Sequence, residues 1–320
     1  MTASGQRLYH GRPLAPYRIG VLVDMPDRPG LSDAFPDGVR FAFAEATARG
    51  VVEREVEVVA REVWAQPLTD ARPLLGAYRE LVEEAGVLGV IGPMTSDNAL
   101  ALLPAIERAG VPTLSICGSP LFVGDAAFSI ANGGLADEPA IICAWLAGEG
   151  HRRVALVRET TQIGEEYTTF FRLAARASGI TIVGEAPVYT VISQAELVEH
   201  LGRLRDGRPD ALVYLGLGGL NQIFRPALES LGWDPPRIQT TAFISATFNE
   251  ERARRLEGWV GVDQYDERNE VLAAVLARFE KAHGYRPASS MLSCGYDAGH
   301  AMAIGLGRMR IATPAGLIGG

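Results

Sequence analysis

Arg18–Asp24 reads RIGVLVD, and Asp37–Arg49, a short distance on, reads DGVRFAFAEATAR. The first stretch is apolar and β-branched between charged ends, which predicts a buried strand. The second carries apolar residues at helical spacing and stops at Gly50, a helix-ending residue. A strand followed by an amphipathic helix is the repeating half of a βαβ unit, and it decides the fold class if the chain keeps repeating it.

The chain repeats it through two series. Val56–Trp64 predicts a strand, Asp70–Ala85 a helix, Val87–Ile91 (VLGVI) a strand, Ser96–Ala109 a helix and Val111–Ser115 (VPTLS) a strand. The second series opens with a helix at Glu138–Gly148 and a strand at Arg153–Val157. A helix at Gly164–Ser178, a strand at Ile180–Ala186, a helix at Ser193–Arg205, a strand at Ala211–Leu215 and a helix at Asn221–Leu231 follow. Ile238–Ala242 and Trp259–Gln264 predict further strands, and Asn269–His283 and Ser289–Met309 closing helices. Alternating βα units imply parallel sheets covered by helices on both faces, and two series imply two doubly wound lobes.

Composition agrees. The 320 residues suit two domains at ~150 residues each. Hydrophobic residues at 48% and charged residues at 21% are ordinary for globular chains, excluding disordered, collagen-like and coiled-coil classes. A net charge of -8 is opposite to the basic footprint that phosphate contacts need, so nucleic acid is not an expected partner. No window approaches the ~18 continuous apolar residues of a membrane span, so direct membrane insertion is not expected. Met1–Pro16 has neither the apolar run of a secretory signal nor a cysteine for lipid attachment. It reads as a flexible segment, and the sequence as it stands reads as cytoplasmic, or as periplasmic or cell-surface if a leader has been removed. Cys117, Cys143 and Cys294 are widely spaced and odd in number, which gives no disulfide framework and no metal pair.

Ligands of open α/β sheets bind beyond the carboxyl ends of the strands. That directs attention to 24–35, 63–67, 92–97, 116–120, 159–164, 216–221 and 243–248, all turns rich in small or polar residues. None carries a GxxxxGK[ST] loop or a GxSxG elbow. Gly216–Asn221 (GLGGLN) resembles a dinucleotide fingerprint superficially, but Asn221 stands where its third glycine belongs. The five histidines form no metal-binding pair, and Cys117 has no histidine near it in sequence, so no catalytic, metal or cofactor site is expected. Gly92-Pro93-Met94-Thr95-Ser96-Asp97-Asn98 is more informative. Ser96 or Asp97 would cap the following helix, and its unpaired N–H groups with the Thr95 and Ser96 hydroxyls favour an anion such as a carboxylate. Ser115-Ile116-Cys117-Gly118-Ser119 follows the next strand and would adjoin that turn on one concave polar rim.

Taken together, these residues resemble type I periplasmic binding proteins of the leucine/isoleucine/valine-binding and amide-binding group. The resemblance is carried by Ile19-Gly20-Val21, Gly38, Val90-Ile91-Gly92-Pro93 with Ser96, Ala105–Ser115, Arg152–Val157, Ile163-Gly164, Asp210–Tyr214 and Tyr296-Asp297-Ala298, in that order. It implies two lobes closing on a small ligand. One lobe would span 17–120 plus 267–320 and the other 132–247, with hinge strands at 128–131 and 261–264. By the same resemblance Ser96 would hold a ligand carboxylate, Cys117 would offer its backbone and Ser119 a hydroxyl.

The second lobe departs from the family pattern. Ile163 replaces a frequent tyrosine, and Gly218 and Gly219 replace aromatic positions, which would leave space that Ile163 and Phe243 make apolar; the segment around Phe243 lacks the acid that grips an ammonium group. An ammonium buried without a partner costs several kcal/mol, so a mainly apolar acid or amide is expected in preference to an amino acid. Thr95 and Gly118, Trp64 in the 63–67 turn and Tyr265 just after the second hinge strand complete the candidate set. The resemblance also implies a tail beyond the helix near Thr313-Pro314-Ala315 that returns to the second lobe. Three functions stay open: a solute-binding protein serving an ABC permease, a cytosolic sensor of the same fold acting on a regulatory protein, and, remotely, an enzyme.

Overall fold

The computed structural model describes residues 8–9, 12–24, 31–67, 69–131, 133–247, 249–286 and 290–320. The chain divides into two compact units, Met1–Asn132 with Asp266–Gly320, and Gly133–Tyr265. Most of the expected flexible segment 1–16, the expected boundary at Asn132 and the helix start at Ser289 lie outside the described residues. Within that segment β1 (Leu8–Tyr9) and β2 (Arg12–Pro13) pair antiparallel.

The first unit is built on β3 (Tyr17–Val23), whose last five residues are all buried. Helix α1 (Leu31–Ala48) starts before the expected Asp37 and carries Pro36 within its second turn. β4 (Val56–Glu62) and α2 (Arg72–Arg79) follow, α2 running into a π-helical turn over Glu80–Glu84. β5 (Gly89–Ile91), α3 (Ser96–Ala109), β6 (Thr113–Ser115) and β7 (Ala127–Ser129) complete the sheet, in the order β4-β3-β5-β6-β7, all parallel.

The second unit repeats that plan. α4 (Asp137–Gly148), β8 (Arg153–Glu159), α5 (Gln162–Ala177), β9 (Thr181–Val188), α6 (Gln194–Asp206), β10 (Ala211–Leu215), α7 (Phe224–Leu231), β11 (Arg237–Gln239), α8 (Glu250–Arg255) and β12 (Trp259–Gly261) follow one another. Its sheet runs β12-β11-β10-β8-β9, again parallel. Alternation sorts each strand onto two cores: Leu156 and Val213 join Ile142, Phe171 and Ile238, while Val157 and Tyr214 join Leu201, Phe224 and Trp259. Both sheets therefore have the strand order 2-1-3-4-5, and the order reverses between the first and third strands of each.

The segments expected to be hinge strands are partly strands of these sheets. Phe128 and Ser129 belong to β7, the fifth strand of its sheet, and Gly261 ends β12, the fifth strand of the other. Each fifth strand runs on into the passage to the other unit. The chain then returns to the first unit as α9 (Glu270–His283), α10 (Met291–Arg308) and α11 (Pro314–Ile318). α10 lies backbone-to-backbone on α1. A Cβ on Gly38 would stand 2.1 Å from the Leu292 carbonyl oxygen, and one on Gly295 would stand 2.1 Å from that of Phe35. The family signatures at Gly38 and at Tyr296-Asp297-Ala298 thus meet each other across this helix pair.

Gly295→Ala leaves neither helix room to yield, since the opposing atom is backbone. We expect a loss of about 1–3 kcal/mol in urea unfolding, against a change within ~0.5 kcal/mol for the solvent-open Gly148→Ala, which meets nothing within 4 Å.

Candidate functional site

In the first unit the rim at the strand ends is organised by the residue that ends the Arg18–Asp24 stretch and opens the 24–35 turn. Asp24, directly after β3, is 3% exposed. Its Oδ1 accepts the Met94 N–H at 2.7 Å. Its Oδ2 accepts the Thr95 N–H at 3.1 Å, the Thr95 hydroxyl at 2.5 Å and the Asn98 side-chain amide at 2.8 Å. A carboxylate at the start of α3 answers the positive end of the helix dipole. The anion favoured by the 92–98 turn is therefore, in large part, the protein's own Asp24. Thr95, not Ser96 or Asp97, holds the capping position, and its side chain makes no capping bond because Asp24 takes the hydroxyl.

The belt extends in both directions. Asn98 exchanges hydrogen bonds with Gln66 in the turn after β4, accepting from its N–H at 3.0 Å and donating to its carbonyl at 3.1 Å. Ser115, ending β6, donates to the Pro93 carbonyl at 2.7 Å and accepts from Cys117 N–H at 3.0 Å, and Ser129 donates to the Cys117 carbonyl at 2.7 Å. Both backbone groups of Cys117 are thus engaged within the belt, and the Ser119 hydroxyl accepts from Leu121 N–H at 3.2 Å. Gly118 lies between them, half-buried. The Ser96 hydroxyl, on the first residue of α3, has no partner among the described residues although the residue is 3% exposed. Trp64 stands more open, at the far end of the belt, where its carbonyl accepts from Thr69.

The second unit builds its rim the same way. Glu159, the last residue of β8, is fully buried and accepts from the Tyr214 hydroxyl, the Thr190 hydroxyl at 3.2 Å, Leu217 N–H at 3.2 Å and Gly219 N–H at 3.1 Å. Tyr214 in turn accepts from Gly218 N–H at 3.2 Å. Burial, reinforced by the Glu159 charge, holds the Tyr214 hydroxyl well above the usual phenol range, so it stays a donor. Asp24 and Glu159 occupy matching places: each ends the first strand of a 2-1-3-4-5 sheet and holds the turn after the third.

This arrangement corrects several expectations. Gly218 and Gly219 do not leave room. A Cβ at Gly219 would lie 2.4 Å from the Thr190 carbonyl oxygen, one at Gly216 would lie 2.6 Å from the Glu159 carboxyl carbon, and Gly218 has φ +99°. The glycines form a collar around Glu159, which also accounts for the GLGGLN pattern. Ile163 is 5% exposed and packs in the core with Leu156, Tyr167 and Phe171. The Phe243 ring covers Gly261, where a Cβ would stand 2.1 Å from it. Tyr265 is half-buried at the unit's end, its N–H donating to Asp263.

A further buried carboxylate has no signal in the sequence. Glu138, in the first turn of α4 and 1% exposed, accepts from Thr241 N–H at 2.8 Å, from the Gln264 amide at 2.6 Å and from the Tyr167 hydroxyl. Burial raises its pKa against these donors. The segment around Phe243 carries no acid of its own, as expected, but a carboxylate reaches it from another helix.

Among the described residues no helix is long and apolar enough to cross a membrane, and no group of three potential ligands gathers to hold a metal. The three cysteines are buried and form no disulfide, and burial pushes the Cys143 thiol up to about 12.

With this geometry in place, comparison with known proteins identifies the class. Residues 16–318 match the family model described as periplasmic binding protein, and the chain belongs to that family. Among solved structures, an ABC transporter substrate-binding protein from Desulfitobacterium hafniense in complex with Leu is 22% identical, with a TM-score of 0.77 over 95% of this chain and 88% of that one. A solute-binding protein from Rhodopseudomonas palustris BisB5 in complex with 3,4-dihydroxybenzoic acid is 20% identical, with a TM-score of 0.76 over 94% and 84%. Another from R. palustris, in complex with 4-hydroxybenzoate, is 16% identical, with a TM-score of 0.79 over 95% and 84%. No curated protein sequence matches. The chain is thus a periplasmic binding protein by family, built on two parallel α/β sheets.

Asp24→Asn turns one acceptor oxygen into a donor facing donors. We expect it to cost about 1.5–3 kcal/mol of stability by chemical denaturation, and Glu159→Gln to cost a similar amount. In the native protein the three thiols should react with an aromatic disulfide reagent at pH 8 only as fast as the protein opens, and stoichiometrically in denaturant.

Proposed function

We propose that this protein binds a mainly apolar organic acid or amide, without catalysis, and favours it over the corresponding α-amino acid. The observation that carries this reading is the engagement of three buried carboxylates. Asp24, Glu159 and Glu138 are all buried, and each accepts hydrogen bonds from several groups of its own unit. An ammonium group approaching any of them would have to displace N–H and O–H donors already in place. The Ser96 hydroxyl stands at the start of α3 with no partner among the described residues, and it offers a donor to a carboxylate or carbonyl. Ser119 and Gly118 follow on the same belt. Relatives that hold dihydroxybenzoic acid and 4-hydroxybenzoate make aromatic acids sensible first probes, and the leucine complex supplies the amino-acid control.

The reading includes a role as the binding component of an ABC transport system, with a permease as protein partner and a periplasmic place of action. A cytosolic sensor of the same fold acting on a regulatory protein is the second reading. The buried cysteines without disulfides favour it, since they suit a reducing compartment.

Calorimetric titration tests the ligand class. 4-Hydroxybenzoate and 4-methylpentanoate should bind more tightly than leucine, the matched pair of 4-methylpentanoate and leucine differing by about two decades, the equivalent of ~3 kcal/mol. Ser96→Ala should weaken the acids by about ten- to a hundredfold, as a bond to a charged group would. Leucine binding more tightly than 4-methylpentanoate, or acids indifferent to Ser96→Ala, would contradict the reading.

A further inference from the structure

Glu138 does more than fill its own hydrogen-bonding capacity, because its three donors come from three different parts of the second unit. Thr241 opens the 3₁₀ segment Thr241–Thr247, which follows β11 and carries Phe243. Gln264 lies three residues beyond β12, at the point where the chain is about to leave the unit at Tyr265. Tyr167 comes from α5. Glu138 itself sits one turn after Gly133, the residue at which the chain enters the unit.

Entry and exit also touch directly. A Cβ on Gly133 would meet the Gln264 side chain at 3.0–3.2 Å, so Gly133 leaves the space through which Gln264 reaches Glu138. Phe243 is tied to the same place from the other side. Its ring covers Gly261 at the end of β12, and its N–H donates to the Thr240 carbonyl at 3.0 Å. The rim segment, the exit passage and the entry passage therefore share one buried anchor. A carboxylate suits this task, since it offers two oxygens and several lone pairs and needs no donor in return.

We propose that Glu138 is a positioning residue that couples the Thr241–Thr247 rim segment to the Gln264 exit passage, so that displacing either one loosens the other. For ligand binding the consequence rests on the reading above: pressure of a ligand on the Phe243 segment is transmitted to the passage between units through Glu138. Tyr167 holds the carboxylate from behind. Burial keeps that hydroxyl well above the usual phenol range, so the bond persists at neutral pH.

The coupling is tested by hydrogen–deuterium exchange on the full-length, ligand-free protein. Gln264→Leu removes one donor to Glu138 and breaks no hydrogen bond to 241–247. The proposal expects protection in 241–247 to fall at least tenfold all the same, together with that in 262–265. Glu138→Ala should produce both losses. Glu138→Gln should retain most of the protection, because Gln264 can turn its amide and accept from the new side chain while Thr241 N–H keeps an oxygen. Loss confined to 262–265 in Gln264→Leu would overturn the proposal and reduce Glu138 to a local stabiliser. If Glu138→Ala fails to fold, Gln264→Leu and Glu138→Gln still decide the matter. Titration of the same variants with 4-hydroxybenzoate separates the two claims. Exchange coupling without any binding to the parent protein removes the ligand class and leaves the coupling standing, whereas binding without exchange coupling does the reverse.

Discussion

A carboxylate at the end of the first strand of each sheet holds the turn after the third. In the first unit Asp24 draws in Met94, Thr95 and Asn98; in the second Glu159 draws in Tyr214, Leu217, Gly219 and Thr190. Both lie where the strand order reverses, the position at which a parallel sheet opens a crevice and leaves backbone N–H groups unpaired. A buried N–H without an acceptor costs about 1–3 kcal/mol, so something must answer those groups. This chain answers many of them itself. The proposed function gives what remains, the Ser96 hydroxyl foremost, to a ligand.

The same constraint explains the glycines. Gly164, Gly216 and Gly219 let backbone approach Glu159 closely, and Gly92, at φ +104°, passes over the Leu22 carbonyl beside Asp24. Read as letters, Gly218-Gly219 suggests an aromatic wall lost and space gained. In the fold the space is already filled by Thr190 and by the carboxylate. A glycine marks close approach as readily as emptiness, and only the identity of the neighbour distinguishes the two.

Most of the fold was legible because buried parallel strands write long apolar runs: RIGVLVD and DALVY sit within a residue or two of β3 and β10. Boundaries moved where strands are three residues long, as at β5, β6, β11 and β12, since a run of apolar residues outlasts the paired segment. The first rim was partly legible, because Thr95, Ser96, Cys117 and Ser119 lie in consecutive strand-end turns. Its organiser was not. Asp24 is 70 residues from Met94, Glu159 is 60 from Gly219, and Glu138 is 103 from Thr241 and 126 from Gln264. No local pattern relates such pairs. The one available signal was an acid at the end of an otherwise apolar strand, where burial obliges it to find donors.

The central claim is that Asp24, Glu159 and Glu138 serve the protein and leave a ligand acid to Ser96. A crystal structure of the chain grown with 4-hydroxybenzoate measures this directly. The account predicts a ligand carboxylate oxygen within ~3 Å of Ser96 Oγ, with Asp24 still accepting from Met94, Thr95 and Asn98. A ligand held elsewhere, or Asp24 turned away from α3 to meet it, would contradict the account.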